Sequence, residues 1–263
     1  MDLGLRGKVA VVTASSQGLG RAVAEALAQE GARLAVCSRD LDRISGTAAQ
    51  LERKYGVPVL PVACDVTDSP SVAGLRDRVL EAYGGADILF ANAGGPPPGG
   101  VQDVTPEDYE KAIRLNLMSA IHLVYAFLPG MKEKRWGRII ASTSISVKQP
   151  IPYLALSNVS RVGVVALMKS LARDLAPFNI TANAVAPGYI MTERVQQILQ
   201  ARMESEGISY DQAVSRMAEQ IPARRTGAPE EFGALVAFLA SERAAYINGE
   251  TVLIDGALYS GLF

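Results

Sequence analysis

The chain alternates between two hydrophobic periods. Nearly continuous apolar runs of five to eight residues are separated by longer stretches with apolar positions every three or four residues. The runs are KVAVVT (8–13), RLAVCS (33–38), VPVLPVAC (57–64), ADILFA (86–91), GRIIAST (137–143), ITANAVA (180–186) and TVLID (251–255). Such runs read as strands buried on both faces. The intervening stretches read as helices. One is LGRAVAEALAQEGA, closed by Gly31. Another runs from Pro106, suited to a first helical turn, to about residue 131. This alternation predicts an α/β fold: a parallel sheet with helices on both faces. GGPPPGG (94–100) is the one biased segment, and it is too short to serve as a linker between domains. It reads as a stiff loop above the sheet.

Composition narrows the class. The chain has 263 residues, 49% of them hydrophobic, which suits one large α/β domain over residues 1–263. A net charge of -1 gives no general attraction to nucleic acid or anionic membrane. No apolar run looks long enough to span a bilayer. The first strand pattern begins so early that a signal peptide is not expected. Cys37 and Cys64 sit at strand ends without metal-site spacing. A reduced, cytoplasmic setting without a bound metal is expected.

The first strand-to-helix junction carries the first chemistry. TASSQGLG places Gly18 and Gly20 where a strand turns tightly into a helix. Glycine there lets a phosphate approach backbone N–H groups at the positive helix end. Alone, such a pair is equally a plain tight turn.

In context, TASSQGLG resembles the Thr-Gly-x-x-x-Gly-x-Gly of the short-chain dehydrogenase/reductase family, and other segments agree in order. CDVTD resembles its adenine-side acidic motif, ANAG its Asn-Asn-Ala-Gly, and NAVAPGYIMT its Pro-Gly turn. LNLMSAIHL carries Asn116 at the family's mid-helix asparagine, and residues 224–257 resemble its C-terminal segment. The resemblance spans nearly the whole chain. It implies a doubly wound, Rossmann-like sheet of order 3-2-1-4-5-6-7 that binds a nicotinamide dinucleotide. The implied cofactor contacts are Thr13, Ser15, Ser16, Gln17, Gly18, Leu19, Gly20, Ser38, Arg39, Asp65 and Val66. Further along the chain they are Asn92, Ala93, Gly94, Arg161, Pro187, Gly188, Ile190 and Thr192.

Three departures stand out. Ala14 replaces the first phosphate-loop glycine, which should shift the turn slightly. Ala91 replaces an asparagine and removes a side-chain hydrogen bond. No Tyr-x-x-x-Lys occurs anywhere. In the ungapped register of GVVALMKSLARDLAPFNITANAVAPG, the family's tyrosine falls on Ser157 and its lysine on Arg161. The family's serine falls on Ser144. Serine is a far weaker acid than a phenol. Arg161 stays charged and shares a helix face with Ser157. It could bind the ribose or stabilise an oxyanion. Tyr153 is the alternative proton donor, although Pro150 and Pro152 favour an extended entry that turns its ring away.

Other features set further expectations. CSRD at the second strand end places Arg39, with Ser15 or Ser16, to hold a 2′-phosphate. NADP(H) is therefore favoured, with NAD(H) the alternative. The stretch 189–222 reads as two amphipathic helices, which the resemblance implies form a lid. Its Arg194, Arg202 and Arg216 could face an acidic substrate, or simply solvent. His122, the only histidine, reads as a packed or interface residue. The two long helices carry apolar residues on more than one face: Leu117, Ile121, Val124 and Phe127 on one, Val162, Val165 and Leu167 on the other. The resemblance implies a homotetramer, with a dimer as the alternative. Two functions remain open. One is an oxidoreductase for a small carbonyl/alcohol substrate with an altered catalytic group. The other is a non-catalytic dinucleotide-binding protein of the same fold.

Overall fold

The computed structural model describes residues 2–262, with Met1 and Phe263 outside it. Seven strands form one parallel sheet in the order β3-β2-β1-β4-β5-β6-β7. They are β1 (Val9–Val12), β2 (Arg33–Ser38), β3 (Val59–Ala63), β4 (Ile88–Ala91), β5 (Gly137–Ser142), β6 (Ile180–Pro187) and β7 (Thr251–Ile254). Every apolar run named above became a strand: RLAVCS keeps its bounds, ITANAVA gains Pro187, and the others are trimmed at one end or both.

The pleat sends alternate residues into two cores. Val9 and Val11 of β1 join one apolar cluster, Ala10 and Val12 the other. The helices α3 (Ser69–Tyr83), α5 (Ser119–Lys134) and α6 (Ala155–Leu175) cover the first face through Leu75, Phe127 and Met168. On the second face lie α1 (Gly18–Gln29), α2 (Leu41–Tyr55) and α9 (Pro229–Ala240), with Leu27, Ile44 and Phe232 in its core. Helix starts follow the local chemistry. Asp40 and Asp68 accept the N–H of Arg43 and Ser71 to cap α2 and α3. Thr105 and Asp108 form a capping box ahead of Pro106 in α4 (Pro106–Ile113).

The long helix from Pro106 differs from expectation in two ways. It is interrupted by a π-helical turn, Arg114–Met118, before α5 continues. By length and composition, 106–134 is also long and apolar enough to cross a membrane, contrary to the sequence reading. Its apolar residues divide between core and surface. Val124 and Phe127, grouped from sequence with Leu117 and Ile121, are buried in the sheet-facing core, while Tyr125 is exposed.

Two helices, α7 (Glu193–Glu206) and α8 (Tyr210–Glu219), follow β6. They build a small cluster of their own from Val195, Leu199, Ala213 and Met217, with Tyr189, Met191 and Met203 against it.

Candidate functional site

A cleft of about 660 Å³ opens outside the carboxyl ends of the strands. This is where a doubly wound sheet reverses direction, between β1 and β4, and where such sheets bind ligands. The chain that follows each strand supplies a section of the wall.

The phosphate end is built by β1 and α1. Gln17 takes the N-cap position of α1 without a side-chain cap bond, so the first-turn N–H groups stay available at the positive helix end. Gly18 holds φ +57° there. Gly20 lets α1 close against the turn, because a Cβ on it would meet the Ala14 carbonyl oxygen at 2.3 Å. Ala14 keeps a left-handed φ of +50°, the conformation glycine would take. Nothing lies within 4 Å of a Cβ placed on Gly94 or Gly95, so the opposite wall is open too. This cradle fits a dinucleotide pyrophosphate.

The adenosine end lies over β2 and β3. Ser38, Arg39, Asp65, Val66 and Ser16 line it. Asp65 accepts the N–H and hydroxyl of Thr67, which hold its carboxyl below the usual range, with Arg39 adding to the shift. Asp40 is spent as the cap of α2, which leaves the ribose region without a free acid from that loop. Arg43, four residues after Arg39, also lines the cleft and donates to Gln17 Oε1. The reading from sequence missed it. Its signal was the i, i+4 spacing on a helix start that the strand-end motif obscured.

Three expected cofactor contacts support the wall from behind. Thr13 Oγ1 donates to the Asn92 carbonyl at 2.7 Å and accepts the Asn92 N–H at 2.8 Å. Ser15 is fully buried, with its hydroxyl on the Val12 carbonyl at 2.9 Å, so it does not reach a 2′-phosphate. Gly20 acts through close packing. Gln17, Gly18, Leu19, Asn92, Ala93, Gly94, Pro187, Gly188, Ile190 and Thr192 all line the cleft.

At the far end, β5 and α6 bring Ser144, Ser157 and Arg161 together on one wall. Ser144 caps a short 3-10 turn by accepting the Ser146 N–H at 3.1 Å. Ser157 Oγ lies 3.4 Å from Ser146 Oγ. Arg161 donates to the carbonyls of Ser142 and Thr143 at 3.3 and 3.2 Å. Burial, then the charge of Arg194, lowers its pKa to about 10. It therefore remains a cation near neutrality.

Asn116 stands behind this wall, in the π-helical turn. Its Nδ2 donates to Ser160 Oγ at 2.9 Å, and its buried Oδ1 has no partner. Tyr153 does not line the cleft. Its φ is +59°, α6 begins beyond it, and the residue is 73% exposed. The ring is turned away as the sequence suggested, but by a left-handed turn at Tyr153 and not by an extended entry. Tyr189 is the one tyrosine among the described residues of the cleft wall, and sequence reasoning passed over it. From α7, Arg194 and Glu193 also enter the wall, and Arg194 donates to the Pro96 carbonyl at 3.3 Å. Arg216 instead pairs with Glu206 on the surface. The side chain of Arg202 lies outside the described residues.

The chain matches the enoyl-(acyl carrier protein) reductase family over residues 13–258. It is 36% identical to dehydrogenase/reductase SDR family member 4 of Sus scrofa, over 98% of this chain and 89% of that protein. Among solved structures, L-sorbose reductase of Gluconobacter frateurii, complexed with NADPH and L-sorbose, superposes with a TM-score of 0.96. The two are 35% identical over all of both chains. A short chain oxidoreductase of Pseudomonas aeruginosa PAO1, NADPH-bound and described as containing an atypical catalytic center, gives 0.89 at 30% identity over 97% of each chain. With these relatives and this sheet order, the chain belongs to the short-chain dehydrogenase/reductase family.

Proposed function

We propose that this protein is an NADP(H)-dependent oxidoreductase acting on a carbonyl/alcohol pair, with Ser157 and Arg161 at the positions of the family's tyrosine and lysine. The observation that carries this reading is Arg161: a buried cation, on the cleft wall beside Ser144 and Ser157, with no acidic partner among the described residues.

The cradle residues bind the dinucleotide. The first turn of α1 faces the pyrophosphate, Arg39 and Arg43 face the 2′-phosphate, and Asp65 faces the adenine. NADPH-bound relatives support the choice of NADP(H) over NAD(H). When bound, the dinucleotide supplies or accepts a hydride at the carbonyl carbon. Arg161 lies over the oxygen that gains charge as the C=O π pair moves onto it, where a fixed cation in a water-poor site is most effective. The oxygen is protonated by water, which leaves hydroxide to solvent. The hydroxyls of Ser144 and Ser157 position that water, since neither is acid enough to give up its own proton. The amphipathic helices α7 and α8 act as the lid of what we read as one domain, 1–263.

The test is direct. NADPH should bind in a fluorescence titration, and its oxidation should follow addition of a carbonyl substrate. Arg161→Met should abolish turnover while NADPH still binds. Retained turnover would sink this role for Arg161. The alternative, a dinucleotide-binding protein without chemistry, is favoured by one observation: Tyr153 is off the cleft. Stoichiometric NADPH binding with no turnover on any carbonyl compound would support it.

A further inference from the structure

The cleft carries an imbalance of charge at its substrate end. Arg161 and Arg194 both line it, from α6 and from α7. Among the described residues, neither forms an ion pair. Arg161 makes its hydrogen bonds from one nitrogen, to the Ser142 and Thr143 carbonyls. Arg194 has one, to the Pro96 carbonyl. Each guanidinium keeps further donors in a fixed fork. The two sit close enough that the charge of Arg194 helps depress the pKa of Arg161.

The acids of the cleft lie elsewhere. Asp65 is at the adenosine end with Arg39 and Arg43. Glu193 lies by the phosphate turn, its Oε2 3.6 Å from a Cβ placed on Gly18. Two like charges held together, one of them buried, raise the energy of the empty site until an anion joins them. A neutral ketone can engage Arg161 through its oxygen but leaves both charges uncompensated and the Arg194 fork unpaired. A carboxylate satisfies one of them bidentately.

Resting on the oxidoreductase reading above, we propose that the substrate is an oxo acid, or a hydroxy acid in the reverse direction. Arg194 binds its carboxylate and Arg161 faces the carbonyl oxygen. An apolar limb runs along Ile151, Leu154, Val195 and Ile198, which line the same end of the cleft. This makes Arg194 the specificity-determining residue, held in place by the 94–100 loop through Pro96.

The test is a calorimetric titration of the NADP⁺-saturated protein with matched pairs: pyruvate, acetoacetate and phenylpyruvate, each against its methyl ester. At least one acid should bind ten-fold or more tightly than its ester. Arg194→Gln should remove that preference and leave NADP⁺ affinity within about two-fold. Esters that bind as tightly as the acids, or no binding by any acid, would overturn the assignment. So would an Arg194→Gln protein that loses NADP⁺ instead, because the arginine would then serve a cofactor phosphate. A protein that binds no NADP⁺ at the outset overturns the oxidoreductase reading itself, and the oxo-acid assignment with it. That titration is read first and separately.

Discussion

Gly20 and Ala14 touch across the first turn: a Cβ on Gly20 would fall 2.3 Å from the Ala14 carbonyl oxygen. The turn therefore depends on a residue without a side chain at one end, yet it tolerates one at the other. Ala14 occupies φ +50°, which costs an L-residue about 1–2 kcal/mol relative to glycine. Ala14→Gly should raise thermal stability by about 1 kcal/mol, offset to some extent by the greater freedom of glycine in the unfolded chain. Gly20→Ala should lower it by roughly 1–3 kcal/mol through overpacking, and should weaken NADPH binding as α1 is pushed off the turn. Calorimetric melts of both variants check this. Equal melts for wild type and Gly20→Ala would show that α1 moves freely.

In the proposed function, cofactor choice falls to the exposed Arg39 and Arg43. Arg39→Ala should cost about 1–3 kcal/mol of NADPH affinity, as the loss of a charge-assisted bond would, and leave NADH binding nearly unchanged. Arg43→Ala should act in the same direction. The double variant should bring the two cofactors close to parity in fluorescence titrations. If the unmodified protein already binds NADH as well as NADPH, the 2′-phosphate assignment is wrong.

The cost of keeping Arg161 charged can be measured. Its folded pKa lies near 10, below the ordinary arginine value, so the protonated form is less favourable in the fold than in the unfolded chain. The sign is the reverse of a stabilising ion pair: stability is reduced at every pH below about 10 and recovers only above it. Arg161→Met should therefore stabilise the protein without ligands, on the order of 1–3 kcal/mol, while removing turnover. Urea unfolding at pH 7 tests it. A variant less stable than wild type would mean that the bonds to Ser142 and Thr143 outweigh the buried charge.

Much of this was legible in the sequence, for physical reasons that differ by element. Strands buried on both faces leave near-continuous apolar runs, and all of those runs paired as expected. The cradle was legible because Gly20 leaves no room for a side chain and Gly18 holds a left-handed φ. The π-helical turn at Asn116 was not, since one wide i→i+5 turn leaves helical apolar patterns on both sides of it. Nor was the division between Ser15 and Ser16. Neighbours in sequence, they point to opposite sides of the turn, one into the core and one into the cleft. Tyr189 escaped because nothing in the Pro-Gly turn motif that contains it sets its side chain apart, and Arg194 was legible only as one of three lid arginines that could face substrate or solvent.

Assembly is expected from what remains uncovered. Tyr125 on α5, with Val159 and Val162 on α6, is exposed although apolar. His122 Nδ1 is buried without a partner. Pairing these helices with those of a second copy would cover the patch, and the family resemblance extends that pairing to a homotetramer. Light scattering at micromolar concentration should give that mass. Val162→Asp, which leaves the cores untouched, should reduce it. A monomeric wild type would refute the expectation.

The last prediction concerns the proton. If Ser157 and Arg161 occupy the tyrosine and lysine positions, Ser157→Tyr with Arg161→Lys should speed reduction of a permissive ketone. General acid catalysis contributes typically ~10²–10⁴-fold, so partial restoration would be visible. Either single change should do less, because a tyrosine without the lysine keeps a high pKa and a lysine without the tyrosine has nothing to tune. The existing phenols separate the rival donors. Tyr153→Phe should leave turnover intact, since its ring faces solvent. Tyr189→Phe should also leave it intact if water protonates the oxygen, because the ring packs against the α7–α8 cluster. A steep loss in Tyr189→Phe, with NADPH affinity preserved, would move the proton from water to that phenol. A steep loss in Tyr153→Phe would require the segment ahead of α6, which pairs with the 94–100 loop through Gly99, to swing the ring inward. In that case, tethering the loop to α6 through Gly99 and Ala155 should abolish activity as well.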